Sequence, residues 1–360
     1  MTGQNFNSLC ILLTVDPEIP VPPGEYGGIE RIVAMLERGL VSSGHKVFLL
    51  AHPDSRPCGS LIPYTGRVSR SRKDTFSHMR QVWDACRRHD IDVVHSFGRL
   101  AYLLPILRNR VLKIQSYQRH VAGSRVALGR KLSGGTLLFS ACSSYCAGTA
   151  GDNGAWHVVF NGAPRDVFTS TEEIESDAPL MFLGRMERIK GPHTAIHVAK
   201  ASGRKLMLAG NIPDTAEARG FFAKEIEPHL DGKQINYVGP VEDAQKNILL
   251  GKAFAFLMPI EWGEPFGIVM AEALACGTPV LGFPLGAVPE VVKNGVNGFL
   301  CHSVEDMVNA VERIPLISRA QCRKDFEERF SDRAIVLAYE ALYRQGLEGI
   351  SARYGGAESG

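Results

Sequence analysis

Residues Pro259–Val280 read PIEWGEPFGIVMAEALACGTPV, and the order of residue types in them decides the fold. The stretch begins at the end of a short apolar run, AFAFLMPI (253–260), of the kind a strand buried on both faces requires. Pro265-Phe266-Gly267 then start a helix, and a second apolar run, TPVLGF, follows it. Strand, turn, helix and strand make the βαβ unit of a parallel sheet. The same residues pose a chemical question, because Glu261, Glu264 and Glu272 sit in or beside the apolar positions Phe266, Ile268, Val269, Met270, Leu274 and Cys276. A carboxylate buried without a partner is strongly unfavourable, so these three must be holding something.

Outward from this stretch the alternation continues in both directions. LCILLTV, HKVFLLA, DVVHSF, VLKIQSY, TLLFSAC and WHVVFN read as strands in the first half, and LMFLGR, KLMLAGN, QINYVG, AFAFLMPI, TPVLGF and GFLC in the second. Continuous apolar runs separated by amphipathic segments predict parallel sheets covered on both faces. Ile29, Ile32, Val33, Leu36 and Leu40 place a helix over 30–40. The stretch TSTEEIESDAP (169–179) is acidic, polar and closed by proline, as a linker would be. The expected organisation is therefore α/β: a first doubly wound, Rossmann-like domain over 1–168, a linker at 169–179, and a second such domain over 180–330. A C-terminal helix at 331–350 is expected to pack back toward the first domain, with 351–360 frayed.

Composition sets the class. The chain has 360 residues, 45% hydrophobic and 22% charged, with no run long and apolar enough for a spanning helix. The start, MTGQNFNSLCILLTV, has neither a basic leader nor a small-residue cleavage site and reads as a first strand. Eight scattered cysteines without a C-x-x-C fit buried thiols in a reducing cytoplasm, not a metal site. The net charge of +2 hides an asymmetry: residues 1–170 hold 20 Lys and Arg against 12 Asp and Glu, and residues 171–360 hold 20 against 26. Fifteen of the basic residues fall between Arg67 and Lys131. They form either a solvated face or a surface for phosphates or anionic headgroups. Without aromatic interleaving or a reader motif, nucleic acid is not the expected partner.

Three turns carry candidate chemistry. In PPGEYGGIER, Gly24, Gly27 and Gly28 lead into a helix whose N-terminus can approach an anion, although a purely structural glycine turn reads equally well. It is neither a G-x-G-x-x-G nor a P-loop. In FLGRMERIKGP, Arg185 and Lys190 follow a strand and suit a diphosphate; two solvated cations are the plain alternative. In the opening stretch, Glu272 lies along the helix on a small-residue face suited to accept bonds from a ribose diol. Glu264 stands at the mouth, where it can accept from sugar hydroxyls or simply cap the helix.

At this point the pattern resembles the retaining glycosyltransferases of family 4. EPFGIVMAE has the spacing of that family's E-x7-E motif, and EYGGIER, DVVHSF, FNGAPRDVF, FLGRMERIKGP, LAGN, INYVGPV and GAVPEVVKNGVNGFL occur in the family's order over roughly residues 8–345. The VPPGEYGG opening looks like compact bacterial members acting on natural products or glycans. The resemblance implies the GT-B fold, two Rossmann-like domains facing across a cleft, and transfer of a sugar from a nucleoside diphosphate sugar, UDP by family frequency. The acceptor would be a glycan, a lipid-linked molecule or a small molecule. Arg185 and Lys190 would bind the donor diphosphate, and Glu272 the ribose. Glu264 with Phe266, Gly267, Ile268 and Val269 would hold the sugar, while Gly27 and Gly28 would close over the diphosphate. The family's usual H-x-H is here His95-Ser96-Phe97, so His95 is a candidate catalytic residue or a core histidine. Gln118 and His120 lie where an acceptor-side histidine is common.

No cofactor and no metal are expected, the nucleotide sugar being a substrate. Asp90-Ile91-Asp92 imitates a metal-binding D-x-D, but it precedes a strand and reads as a turn. The expected location is cytoplasmic, with possible contact to an anionic membrane face. A GT-B disaccharide synthase or phosphorylase, a nucleotide-sugar epimerase, and a non-catalytic sugar-nucleotide-binding module are the competing readings. No fingerprint supports a NAD-dependent oxidoreductase.

Overall fold

The structure is a computed structural model and describes residues 8–24 and 27–354. The chain divides into two units, one of Met1–Phe160 with Ile335–Gly360 and one of Asn161–Ala334.

The first unit runs β1 (Cys10–Thr14), α1 (Gly28–Ser42), β2 (Lys46–Ala51), β3 (Ser60–Pro63), α2 (Arg72–Arg88), β4 (Val93–Ser96), a 3-10 turn at Leu100–Ile106, β5 (Leu112–Tyr117), α3 (Gly123–Leu132), β6 (Leu137–Ala141), α4 (Ser144–Gly148) and β7 (Trp156–Val158). Its seven strands are parallel in the order β3-β2-β1-β4-β5-β6-β7. Ile11, Leu12 and Leu13 are wholly buried, because helices cover both faces of a parallel sheet and no position along the strand meets water. In α1, Ile32, Val33, Leu36 and Leu40 face the core, as their spacing predicts. Ser71 starts α2 by accepting from the Asp74 amide.

The second unit runs β8 (Leu180–Leu183), α5 (Pro192–Ala201), β9 (Leu206–Ala209), α6 (Ala216–Phe221), β10 (Ile235–Tyr237), α7 (Asp243–Gly251), β11 (Ala255–Met258), α8 (Ile268–Ala275), β12 (Val280–Gly282), α9 (Val288–Val291), β13 (Gly298–Leu300), α10 (Val304–Arg313) and α11 (Arg319–Arg329). Six parallel strands take the order β10-β9-β8-β11-β12-β13. The last helix, α12 (Asp332–Tyr354), starts in this unit and counts with the first unit from Ile335 onward.

Each sheet begins in its middle and winds one way, then the other. The direction reverses between β1 and β4 in the first unit and between β8 and β11 in the second. At such a reversal the connections leave on opposite faces and open a crevice beyond the strand C-termini, where ligands of doubly wound sheets bind.

Several sequence expectations change. β3 is absent from the segments read as strands: SLIP has four residues, ends in proline and lies half-exposed at the sheet edge. The chain divides at Phe160, not at 168, and the acidic stretch 169–179 lies within the second unit. It is tied down there, with Asn247 Oδ1 accepting from the Thr169 amide at 2.9 Å and Arg319 Nε donating to the Thr171 carbonyl at 2.6 Å. Ser351–Tyr354, expected to fray, continue α12, while 355–360 lie outside the described residues. So do residues 1–7, before β1, and Glu25-Tyr26 of the EYGG turn. Among the described residues no helix is long and apolar enough to cross a membrane.

Candidate functional site

In the second unit the crevice between β8 and β11 gathers the charged residues. Beyond β8 the chain turns through Arg185–Lys190 and enters α5 at Gly191, whose φ is +78°. A Cβ on Gly191 would lie 2.0 Å from the Pro259 carbonyl oxygen, so only glycine lets this turn press against the end of β11. The Glu261 amide, donating to the Ile189 carbonyl at 2.9 Å, fastens the two segments together. Lys190 Nζ consequently donates to Glu264 Oε2 at 2.5 Å and stands 4.7 Å from the centre of the Trp262 ring. Gly286 holds the carboxylate's backbone from the other side: its φ is +59°, and a Cβ there would meet the Glu264 N and O at 2.3 Å. Ala287 donates its amide to the Glu264 carbonyl at 2.9 Å.

Arg185 turns to Glu187, 3.1 Å away, and is half-exposed. His193 Nε2 meets Glu261 Oε1 at 2.9 Å; burial keeps this imidazole below its ordinary pKa although Glu261 pulls the other way. Phe266 is buried edge-on against Phe330, and Gly267, at φ +79°, caps α8 and leaves Ile268 and Val269 of its first turn partly exposed.

Glu272 is the fifth residue of α8 and only 4% exposed. Its Oε1 accepts from Lys246 Nζ at 3.0 Å, and Lys246 also meets Asp243 at 2.9 Å. Burial alone would depress the Lys246 ammonium, but the two carboxylates outweigh it and hold the pKa above its ordinary value. Glu272 Oε2, in contrast, has no hydrogen-bond partner among the described residues. Buried carboxylate oxygens are ordinarily satisfied, so this one is set to accept from something outside the chain. Each of the three glutamates thus holds a protein cation or histidine in the free protein, and only Glu272 keeps a buried oxygen unused.

In the first unit, Gly27 caps α1, and a Cβ there would lie 2.8 Å from Pro23 Cβ and 2.9 Å from Glu30 Oε2; Gly28 is the first helical residue. His95, on β4, has no exposed surface. Its Nδ1 pairs with the Tyr343 hydroxyl at 2.7 Å and its Nε2 with Ser116 Oγ at 2.6 Å, and burial drives its pKa down to about 3. A neutral imidazole with both nitrogens engaged inside the core has no path to a substrate, which corrects its inclusion among the candidate catalytic residues. Asp92 Oδ2 accepts from the Cys10 amide at 2.8 Å, fastening the start of β1. Among the described residues no group of three or more His, Cys, Asp or Glu is placed to hold a metal ion.

Gln118 and His120 line a cavity of about 630 Å³ at the reversal between β1 and β4, within the usual range for small-molecule sites. Asp16, just beyond β1, and Phe97-Gly98, just beyond β4, form its floor. Asp16 accepts from the Tyr102 hydroxyl at 2.9 Å and from Arg119 at 3.3 Å, yet burial still raises its pKa. His120 Nε2 lies 3.5 Å from the Tyr145 hydroxyl.

Lys190 and Glu264, singled out for separate roles, are brought into contact across 74 residues of sequence, whereas Arg185 and Glu272 each have other partners. Sequence reading missed Lys246 and Trp262 as site residues, and it met Gly191 and Gly286 only inside FLGRMERIKGP and GAVPEVVKNGVNGFL, without their packing role. Only Gly191 carried a signal, the Gly-Pro that opens α5; Lys246 looks like any polar residue of an amphipathic helix.

Comparison with known proteins bears on the same regions. Residues 166–335 match the family model described as glycosyl transferases group 1, and residues 26–126 match that of glycosyltransferase family 4. The glycogen synthase of Mycobacterium tuberculosis is 24% identical, the alignment covering 90% of this chain and 93% of that protein. A glycosyltransferase involved in avilamycin A biosynthesis superposes with a TM-score of 0.69 at 24% identity, covering 95% of this chain and 98% of that one. HepE of Anabaena, solved in complex with UDP and glucose, gives 0.69 at 16% identity over 93% and 100%.

Proposed function

The chain belongs to the glycosyltransferases of family 4 type with the GT-B fold, and we propose that it moves a sugar, with retention of configuration, from a nucleoside diphosphate sugar to a glycan, lipid-linked or small-molecule acceptor. The observation that carries this reading is Glu272: one oxygen is fixed by Lys246, the other is buried and open. That oxygen accepts from the ribose hydroxyls of the donor. Lys190, with Arg185 beside it, neutralises the diphosphate, and the ammonium that now holds Glu264 is shared with the phosphate oxygens when the donor binds. Glu264 and the first turn of α8 face the sugar.

In the transfer, the bond between the sugar's anomeric carbon and the β-phosphate oxygen breaks, and the acceptor oxygen bonds that carbon from the same face. The acceptor proton leaves on the departing diphosphate. The cations and the α8 N-terminus stabilise the charge that develops, so no metal is required. Uridine is the proposed base, supported by the UDP in the HepE structure.

The first unit takes the acceptor in the cavity at Gln118 and His120. A cytoplasmic enzyme touching an anionic membrane face is supported by α2, whose exposed stripe is Lys73, Phe76, Arg80, Trp83 and Arg87. Phe76 is 68% exposed, and Phe76 and Trp83 stand between basic residues on this stripe, which corrects the expectation that the basic segment lacks interleaved aromatics; such a stripe suits an interfacial helix.

Thermal shift with UDP-, GDP- and ADP-sugars, followed by nucleotide release, tests the reading. A melting temperature raised by one nucleotide series and sustained NDP release are expected. No shift with any nucleotide would remove the reading, and a shift with only slow release would leave a binding module.

A further inference from the structure

The lining of the cavity in the first unit combines two kinds of chemistry. Arg70, Arg99, Arg119 and Arg125 line it, against one carboxylate, Asp16. Arg119 is paired with Asp16, and Arg99 donates to the Ser69 carbonyl and to Thr75 Oγ1. Arg70 and Arg125 have no ion pair or hydrogen bond among the described residues, and both are exposed. The cavity therefore carries unmatched positive charge supplied from separate segments: the loop before α2, and α3.

The same lining also carries exposed apolar side chains. Arg125, Leu128, Gly129 and Leu132 recur at three- and four-residue spacing along α3, so one face of that helix is turned to the cavity. Leu104 of the 3-10 turn lines it too. Leu104, Leu128 and Leu132 are 50%, 58% and 38% exposed. Single exposed leucines are ordinary on a protein surface. Three around one cavity form a patch that water covers only at a cost, and such patches mark binding sites.

We propose that this cavity binds an acceptor bearing a phosphate group joined to an apolar chain or ring, the phosphate at the unpaired Arg70 and Arg125 and the apolar part on Leu104, Leu128 and Leu132. Guanidinium groups suit phosphate because their planar forks meet its oxygens pairwise, and several arginines from different segments exceed what a lone carboxylate can engage. The inference rests on the reading that the first unit takes the acceptor. It adds the chemical class of that acceptor, whether the phosphate belongs to a lipid or to a soluble molecule.

The test is calorimetric titration of the full chain with octyl phosphate below its micelle concentration, octyl glucoside and inorganic phosphate. Octyl phosphate is expected to bind at least tenfold more tightly than either of the others, because only it engages both the arginines and the leucines. Arg125→Gln and Leu128→Ser should each weaken it fivefold or more. Sedimentation with phosphatidylcholine vesicles, with and without phosphatidic acid, separates the sources. Binding that needs phosphatidic acid and is weakened in Arg125→Gln places the phosphate on a lipid; octyl phosphate binding without vesicle binding places it on a soluble acceptor. Equal affinity for octyl phosphate and octyl glucoside, or affinity unmoved by both variants, overturns the inference. UDP titrated into the same protein keeps the two questions apart. Retained UDP binding with no preference for octyl phosphate removes the inference alone, whereas lost UDP binding removes the donor reading.

Discussion

The two units share a winding scheme and differ in what their crevices hold. In the second, Lys190 is matched with Glu264 and Lys246 with Glu272, while His193, held below its ordinary pKa, stands against Glu261. In the first, arginines exceed carboxylates around the cavity and leucines stand in water, while two histidines deep in its core are neutral. His95 and His78 are both buried, with pKa values pushed down to about 3 and about 2 by desolvation. Lys113, also buried, has its ammonium surrounded by the carbonyls of Ile106, Leu107 and Asn109, and burial lowers it to about 8. The same topology thus supports a site made of paired ions, which a charged ligand must re-pair. It also supports one made of unpaired cations and apolar surface, which an amphipathic anion completes. Architecture fixes where a ligand goes, and the side chains at the strand ends fix what it is.

The largest expected effect concerns the histidines. In the unfolded chain each binds a proton near pH 6.5, whereas in the folded unit neither does until about pH 3 or 2. Between those values the unfolded state holds more protons, so stability falls as pH falls, by about 1.4 kcal/mol per pH unit for each histidine. Hydrogen exchange followed strand by strand from pH 7 to pH 4.5 should show β4 and β5 losing protection before β8 and β11. Equal loss in both units would remove the contrast.

Glu264→Gln should come next. If the carboxylate faces the transferred sugar, as proposed, turnover should fall roughly a hundredfold, as when one preorganised electrostatic partner of a transition state is lost. NDP alone should bind nearly as before. Loss of NDP binding in this variant, read by titration, would move Glu264 from the sugar to the nucleotide.

A smaller effect is expected from Glu272→Gln. If Glu272 holds the ribose, as proposed, it does so alike before and during transfer, so the donor KM should rise about tenfold with kcat little changed, the pattern of lost uniform binding. Initial rates over a range of donor concentrations decide it; a kcat that falls as far as kcat/KM would place Glu272 at the reacting centre. Smallest of all is the effect of a chelator, which should leave the rate unchanged if, as proposed, cations of the chain face the diphosphate. Activity abolished by EDTA and restored by magnesium or manganese would reassign that task to a metal.

Legibility in the sequence followed the range of the interactions. Strands such as LCILLTV and AFAFLMPI, and the helix of Ile32, Val33, Leu36 and Leu40, could be read because their patterns are local. Edge strand β3 could not, since half-exposure and a terminal proline erase the apolar run that marks its neighbours. The stretch 169–179 looked like a linker because its composition is polar, yet what it does is decided by Asn247 and Arg319, far along the chain. Lys190 and Glu264 were singled out separately, one for a turn and one for a motif; their contact depends on Gly191 and Gly286, whose importance lies in atoms that would collide. The partner of Glu272 was invisible for the same reason, and so was the cavity, assembled from Arg70, Leu104 and Arg125 on three separate segments.

The most direct measurement is a UDP titration of the unmodified chain, Lys190→Ala, Glu272→Gln and Arg125→Gln side by side. Removing the Lys190 ammonium should cost about 1.5–3 kcal/mol of UDP binding, the usual worth of a charge-assisted hydrogen bond. Glu272→Gln should weaken UDP less, and Arg125→Gln should leave it unchanged, because the proposed donor site belongs to the second unit. UDP affinity unmoved by both second-unit variants, or lost in Arg125→Gln, would contradict the account.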